Sequence, residues 1–281
     1  MKALQKTAIS AAAVALLTGL TSVVAFAEEA AAPEVSPVTA NVTVVNDYRY
    51  RGVSQSNMKP AIQGGFDYAH ESGLYIGNWN SSISWNGDQN PGVTSPIEMD
   101  FYGGFKKELI GEGFASDIGV LQYAYPSRGA YSYQTSAGTQ VNPNTTELYG
   151  AQNFTFGALT GFAKLSYSVT PLFGNPHSSG SYYPDLTMNY DTGVWGLALN
   201  AHVGYQKVAG QKIVAGTPSL NYTDWKLGLT KDFGGGLSLA AAYVGTNSSH
   251  IGSTYAYSGP ANQGSKNLAG STGIVSLTKT F

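Results

Sequence analysis

The 281-residue chain contains no cysteine. A small domain exported to an oxidising compartment often relies on disulfides, so this one is held together in another way. Charge is also scarce. Only 11% of residues are charged, with 15 Lys+Arg against 17 Asp+Glu, and this balance argues against a nucleic-acid partner. After the first 27 residues no run reaches the ~18 apolar residues of a membrane-spanning helix. No stretch carries a convincing 3.6-residue period either, which argues against a helical bundle.

What the chain has in abundance is glycine and tyrosine, 35 and 19 residues, a mixture suited to many strands with aromatic bands. It opens with "MKALQKTAISAAAVALLTGLTSVVAFA", in which basic Lys2 and Lys6 precede an apolar core and the small pair Ala25 and Ala27. That is the pattern of a secretory signal peptide over residues 1–27. Thr18, Gly19, Thr21 and Ser22 interrupt the core and argue against a membrane anchor. Residues 28–39, Ala/Pro-rich and acidic, read as a flexible periplasmic leader before a barrel over 40–281.

From residue 40 onward, period-two alternation predicts twelve strands: 40–51, 60–70, 74–85, 97–109, 113–125, 145–156, 158–170, 182–191, 194–206, 220–232, 236–247 and 271–281. In the fifth, Ile118 and Val120 compete for the apolar face with Leu121, Tyr123 and Tyr125. The connections sort by length. Short ones such as "ESG", "IGEG", "TG" and "GGG" alternate with long polar ones such as "NGDQNPGVTSP" and "PSRGAYSYQTSAGTQVNPN". A two-sheet sandwich would alternate equally well but has no reason to sort its loops. The pattern predicts an all-β fold, a transmembrane antiparallel up-and-down barrel of about twelve strands with its short turns on the periplasmic side.

Such a barrel fixes the phase of every strand, because Arg or Lys facing lipid near the midplane costs roughly 2–4 kcal/mol. In the first run, "NVTVVNDYRYR", Val42, Val44, Tyr48 and Tyr50 are then expected on lipid and Asp47, Arg49 and Arg51 in the lumen. Tyr48 is expected to cover Gly64 across the strand pair. The same phasing turns Asp67, Glu98, Asp100, Lys106, Asp117, Glu147, Lys164, Asp185, Asp224 and Lys226 inward as pore lining. The inward acids outnumber the bases, which implies a weak cation preference. Trp79 with Trp85, and Trp195 with Tyr205, are expected in the interfacial aromatic girdles. The closing "GIVSLTKTF" places Val275, Leu277 and Phe281 on one strand face. Such an ending resembles the signal read by the barrel-assembly machinery, although Lys279 departs from its apolar pattern.

The stretch "DYRYRGVSQSNMKPAIQGGFDYAHESGLYIGNW" resembles the TorF-type porins of proteobacteria, and the likeness continues through "DIGVLQYAYP", "YTDWKLGLTKDFGGGLSLAAAYVGTN" and "VSLTKTF". The resemblance implies an outer-membrane β-barrel classed as a porin. It brings no substrate and no binding residue.

A catalytic constellation is not expected. His70, His177 and His250 fall in turns or loops, and His202 faces the lumen with no serine partner that would suit a hydrolase. No ligand spacing points to a metal or another cofactor, and Glu98 with Asp100 reads as lining. The expected partners are outer-membrane lipid, the assembly machinery, and small hydrophilic solutes or ions that diffuse through the lumen. The competing reading is a closed structural or adhesive barrel whose long outside loops bind a partner.

Overall fold

A computed structural model describes residues 36–90, 92–129, 141–211, 215–260 and 266–281. The expected signal peptide, most of the leader and the Tyr/Ser-rich stretch 130–140 lie outside the described residues. The described chain forms twelve barrel strands: β1 Val38–Val45, β2 Ala61–Ala69, β3 Leu74–Ser82, β4 Ile97–Gly111, β5 Phe114–Ala124, β6 Thr145–Phe156, β7 Leu159–Ser168, β8 Tyr182–Asp191, β9 Leu197–Gln206, β10 Tyr222–Asp232, β11 Leu237–Thr246 and β12 Thr272–Thr280. Each pairs antiparallel with its neighbours in sequence. β1 also pairs with β12, from Asn41↔Thr280 to Val45↔Ser276, so the barrel closes and no strand edge is left free.

The expected up-and-down barrel is therefore the fold, and its connections sort by end. Connections 70–73, 112–113, 157–158, 192–196 and 233–236 lie at the end that also holds the start of β1 and the close of β12. The two-residue turns at 112–113 and 157–158 each contain a glycine at positive φ, Gly113 at 79° and Gly157 at 57°. Such a turn matches strand twist in a way that a residue with a Cβ does only at a cost. The long connections 46–60, 83–96, 125–144, 169–181, 207–221 and 247–271 gather at the opposite end.

Alternation decides which face of each strand is covered. Ile76, Ile118, Leu165, Leu199, Leu227 and Val275 point outward and are exposed. Thr43, Glu98, Asp117, Ser166, Asn200 and Ser276 point inward and are buried. The apolar surface is thus on the outside, the reverse of a soluble barrel. In β5, Ile118 and Val120 take the outer face, while Leu121 and Tyr123 turn in with Asp117.

Three expectations fail, two where the chain leaves the sheet and one, at Trp79, where the inward face of β3 takes the ring. β1 starts at Val38 and ends at Val45 rather than spanning 40–51. Tyr48 and Tyr50 consequently lie inside the barrel, not on its outer face, and the residue opposite Gly64 is Val42. Trp79 and Trp85 are also interior, at 3% and 8% exposure, whereas Trp195, at 81%, is outside as a girdle residue would be. Trp85 misleads because β3 stops at Ser82, and a short helix, Trp85–Gln89, turns the ring inward. These inward rings join Tyr75, Tyr102, Leu121, Tyr123, Tyr125 and Tyr149 in a largely aromatic buried cluster inside the barrel.

Candidate functional site

The lumen is organised around residues 46–60, which fold back into the barrel instead of rising away from it. Within this segment Arg49–Tyr50 pairs with Val53–Ser54 as a miniature hairpin. Its turn residues, Arg51 and Gly52, both have positive φ, 46° and 77°, the signature of a type I′ turn. Glycine accepts that conformation freely. An arginine there is strained by roughly 1–2 kcal/mol and persists where its surroundings hold it.

Those surroundings are specific. The Arg51 guanidinium donates to Glu147 Oε2 on β6 at 2.8 Å and to Gln206 Oε1 on β9 at 2.7 Å. It stacks over the Tyr183 ring at 4.1 Å and over Tyr50 at 4.8 Å. Burial opposes its charge, but Glu147 and the nearby Tyr50 and Tyr123 outweigh that and hold its pKa above the ordinary guanidinium value.

The base of the segment is tied by Asp47. Its carboxylate accepts from Arg49 Nε at 2.6 Å, from Ser54 Oγ at 2.5 Å and from Ser56 Oγ at 3.2 Å. Arg49 in turn donates to the carbonyls of Gly52, Leu268 and Gly270 at 3.0, 2.7 and 3.0 Å. This fastens the segment to the connection before β12.

The expected pore-lining residues Asp67, Glu98, Asp100, Lys106, Asp117, Glu147 and Lys164 all lie on inward strand faces. Asp47, Arg49 and Arg51 are inside as well, but the re-entrant segment places them there, not strand alternation. Sequence reasoning missed how the acids are satisfied. Tyrosine hydroxyls donate to Asp67 (Tyr102, 2.5 Å), Asp117 (Tyr75, 2.7 Å), Glu147 (Tyr123, 3.2 Å) and Asp224 (Tyr183, 2.8 Å). Glu98 has a tyrosine on each oxygen, Tyr48 at 2.5 Å and Tyr125 at 2.7 Å. The one available signal was glycine placed across from an inward ring. A Cβ on Gly204 would fall 2.9 Å from Cε2 of Tyr183, and one on Gly119 2.5 Å from Cζ of Tyr149.

His202 lies between two acids, with Nε2 at 2.9 Å from Asp224 and Nδ1 at 3.2 Å from Asp185. Lys106 donates to Asn153 at 3.3 Å. Lys164 stands 4.9 Å from the Tyr149 ring centroid, and among the described residues neither it nor Lys226 has an ion pair. Val275, Leu277 and Phe281 share the outer face, the last with Lys279 Nζ 5.3 Å from its ring centroid. Among the described residues no three His, Asp or Glu side chains gather as metal ligands.

A sequence model of the Gcw_chp family, bacterial proteins of unknown function, matches residues 27–281, and the chain belongs to that family. It has no match among curated proteins. Among solved structures it is similar to the KdgM porin, at 6% identity and a TM-score of 0.50, with 86% of this chain and 99% of that one covered. The KdgM porin in complex with disordered oligogalacturonate aligns at 6% identity and a TM-score of 0.49, over 87% and 98%. OccAB1 of Acinetobacter baumannii aligns at 11% identity and 0.43, over 89% and 66%. At these identities the likeness is one of fold.

Proposed function

We propose that the chain is an outer-membrane porin that passes small hydrophilic solutes or ions by diffusion along a lumen narrowed by residues 46–60. The observation that carries this reading is the inverted barrel. Its outer face is apolar and suited to lipid, while its interior holds buried charges around a cavity of about 110 Å3. Residues 1–27 then act as the signal peptide and the stretch from 28 to the start of β1 as leader, with the short turns in the periplasm and the long connections outside. Val275, Leu277 and Phe281 serve the assembly machinery. The resemblance to TorF-type porins agrees with this reading.

A weak cation preference is the finer part of the reading, and pairing tells against basing it on a count of acids. Asp47 is held by Arg49, Glu98 is capped by two tyrosines, and Asp185 and Asp224 share His202. A carboxylate already engaged offers little field to a passing cation. The closed structural or adhesive barrel is the second reading, favoured by the largely aromatic buried cluster inside the barrel.

Planar-bilayer recording of the refolded mature protein decides between them. Reproducible conductance steps absent from mock preparations support the porin. A folded barrel that never conducts overturns it in favour of the closed form. The reversal potential in a salt gradient, with Asp47, Glu98 and Asp100 neutralised together, then tests selectivity. A shift toward anions would restore those acids to the selectivity ring.

A further inference from the structure

The wall that Arg51 meets is put together by the barrel itself. Glu147 on β6, Tyr183 on β8 and Gln206 on β9 are all buried, and contacts outside the hairpin orient each of them. Tyr123 donates to Glu147 Oε2 at 3.2 Å, and the Tyr183 hydroxyl donates to Asp224 at 2.8 Å. Gln206 donates its Nε2 to the Lys207 carbonyl at 3.0 Å, which leaves its Oε1 turned to the guanidinium.

Together these groups read one cation shape. Two guanidinium nitrogens, Nη2 and Nη1, donate separately to Glu147 and Gln206, while the flat face lies over the Tyr183 ring. An ammonium supplies the charge but neither the fork nor the plane. A neutral amide leaves a buried carboxylate without a counter-charge. The seat is therefore matched to guanidinium.

Its present occupant is held under strain. Arg51 reaches the seat from a left-handed backbone, φ 46°, which a glycine would adopt freely. A guanidinium arriving in solution carries no such strain. It also has an approach, because Arg51, Tyr50 and Tyr183 line the cavity beside the hairpin. The base of the segment does not depend on its tip, since Asp47 holds Ser54 and Ser56 and Arg49 holds Leu268 and Gly270. Beside Arg51, the tip is tied by the neutral contact between the Tyr50 and Tyr123 hydroxyls at 2.5 Å.

We propose that the seat formed by Glu147, Gln206 and Tyr183 is a recognition site for solutes that carry a guanidinium group, with Arg51 as its built-in occupant. Such a solute exchanges with Arg51 and frees the hairpin tip from β6 and β9. The assignment deepens the porin reading, as regulation of the same lumen, and rests on it for the effect on flow.

The test uses Arg51→Gly, which suits the turn and empties the seat. The refolded variant in detergent micelles is titrated calorimetrically with ethylguanidinium and with ethylammonium, at concentrations far below those that unfold proteins. Ethylguanidinium should bind saturably and about tenfold or more tighter than ethylammonium. The wild-type barrel should bind it about tenfold or more weaker than the variant does, because the tethered Arg51 competes. Adding Glu147→Gln to Arg51→Gly should abolish the binding. Should Arg51→Gly fail to refold, Arg51→Lys keeps a charge beside Glu147 but lacks the fork, and it should yield the seat to ethylguanidinium more readily than the wild type.

Absence of saturable binding in whichever variant folds would overturn the assignment. Equal affinity for the two cations would reduce the seat to a general cation site and overturn it as well. Equal affinity of wild type and variant would place the binding elsewhere. Planar-bilayer recording reads the consequence: wild-type conductance should rise with ethylguanidinium and not with ethylammonium. Binding to a conducting barrel whose conductance does not change overturns the release of the tip. A barrel that binds but never conducts removes the porin reading and leaves the site standing.

Discussion

Arg51 and Glu147 meet at 2.8 Å inside the barrel, although one sits at the tip of a connecting hairpin and the other on β6. The contact joins the re-entrant segment to the opposite wall, one of several ties that hold it across the lumen, with Arg51–Gln206 and Tyr48–Glu98 among the others. Replacing Arg51 by alanine leaves Glu147 buried with Tyr123 as its one hydrogen-bond partner among the described residues. Breaking such a pair costs about 3–5 kcal/mol. Arg51→Ala should therefore lower the urea midpoint of the barrel and raise its single-channel conductance, because the hairpin is no longer held across the lumen. Adding Glu147→Gln should recover part of the stability and none of the narrowing. An intact fold with wild-type conductance would show that the hairpin does not limit flow.

The twelve strands were legible because each follows the physical rule that an apolar face and a polar face alternate, and because connections at the two ends differ in length. Even the ambiguous β5 resolves by that rule, since Asp117 cannot sit on the apolar face with Ile118 and Val120 inside. Residues 46–60 were not legible. "DYRYR" alternates as well as a strand does, and nothing local reports that the chain bends at Asn46 into the lumen. The reason lies far away in sequence, in the partners that Arg51 finds at Glu147 and Gln206 and that Arg49 finds at Leu268 and Gly270. Tyrosine was misread for a related reason. Its ring suits a lipid-facing position, where Tyr48 was expected, but its hydroxyl equally suits a buried carboxylate, and Tyr48 takes that second role, as do Tyr75, Tyr102 and Tyr183.

The double cap on Glu98 gives a second prediction. Hydrogen bonds to a charged group contribute about 1.5–3 kcal/mol each. Tyr48→Phe and Tyr125→Phe should each destabilise the barrel by about that amount in urea unfolding. They should differ in conductance, because Tyr48 belongs to the re-entrant segment and Tyr125 to the connection after β5. Only Tyr48→Phe should widen the lumen. Equal conductance changes in the two variants would mean that the Glu98 cap does not anchor the segment.

The outer face can be tested at Leu227, which is 63% exposed at mid-strand on β10 beside inward-facing Lys226. If lipid covers that face, Leu227→Arg should cost roughly 2–4 kcal/mol when the barrel folds into bilayers. The neighbouring residue already carries a positive charge, so the penalty would come from the face and not from charge as such. Folding into liposomes of defined composition measures it. A neutral effect would mean that water, not lipid, meets Leu227.

The pairing of glycine with an inward ring yields the last prediction. A Cβ on Gly204 would press on the Tyr183 ring, which donates to Asp224 at 2.8 Å and carries the Arg51 guanidinium at 4.1 Å. The ring can yield only by giving up one of those contacts. Gly204→Ala should therefore cost about 1–3 kcal/mol, the usual range for overpacking a filled site. Gly150 on β6 has nothing within 4 Å of its would-be Cβ. There alanine should be neutral or stabilise by about 0.4–1 kcal/mol, by restricting the unfolded chain. Urea unfolding of the two variants side by side makes the comparison, and conductance adds a second readout, since a displaced Tyr183 loosens the seat of Arg51. If both substitutions behaved alike, the tyrosine would not be resting on Gly204, and the support beneath Arg51 would have to come from Glu147 and Gln206 alone.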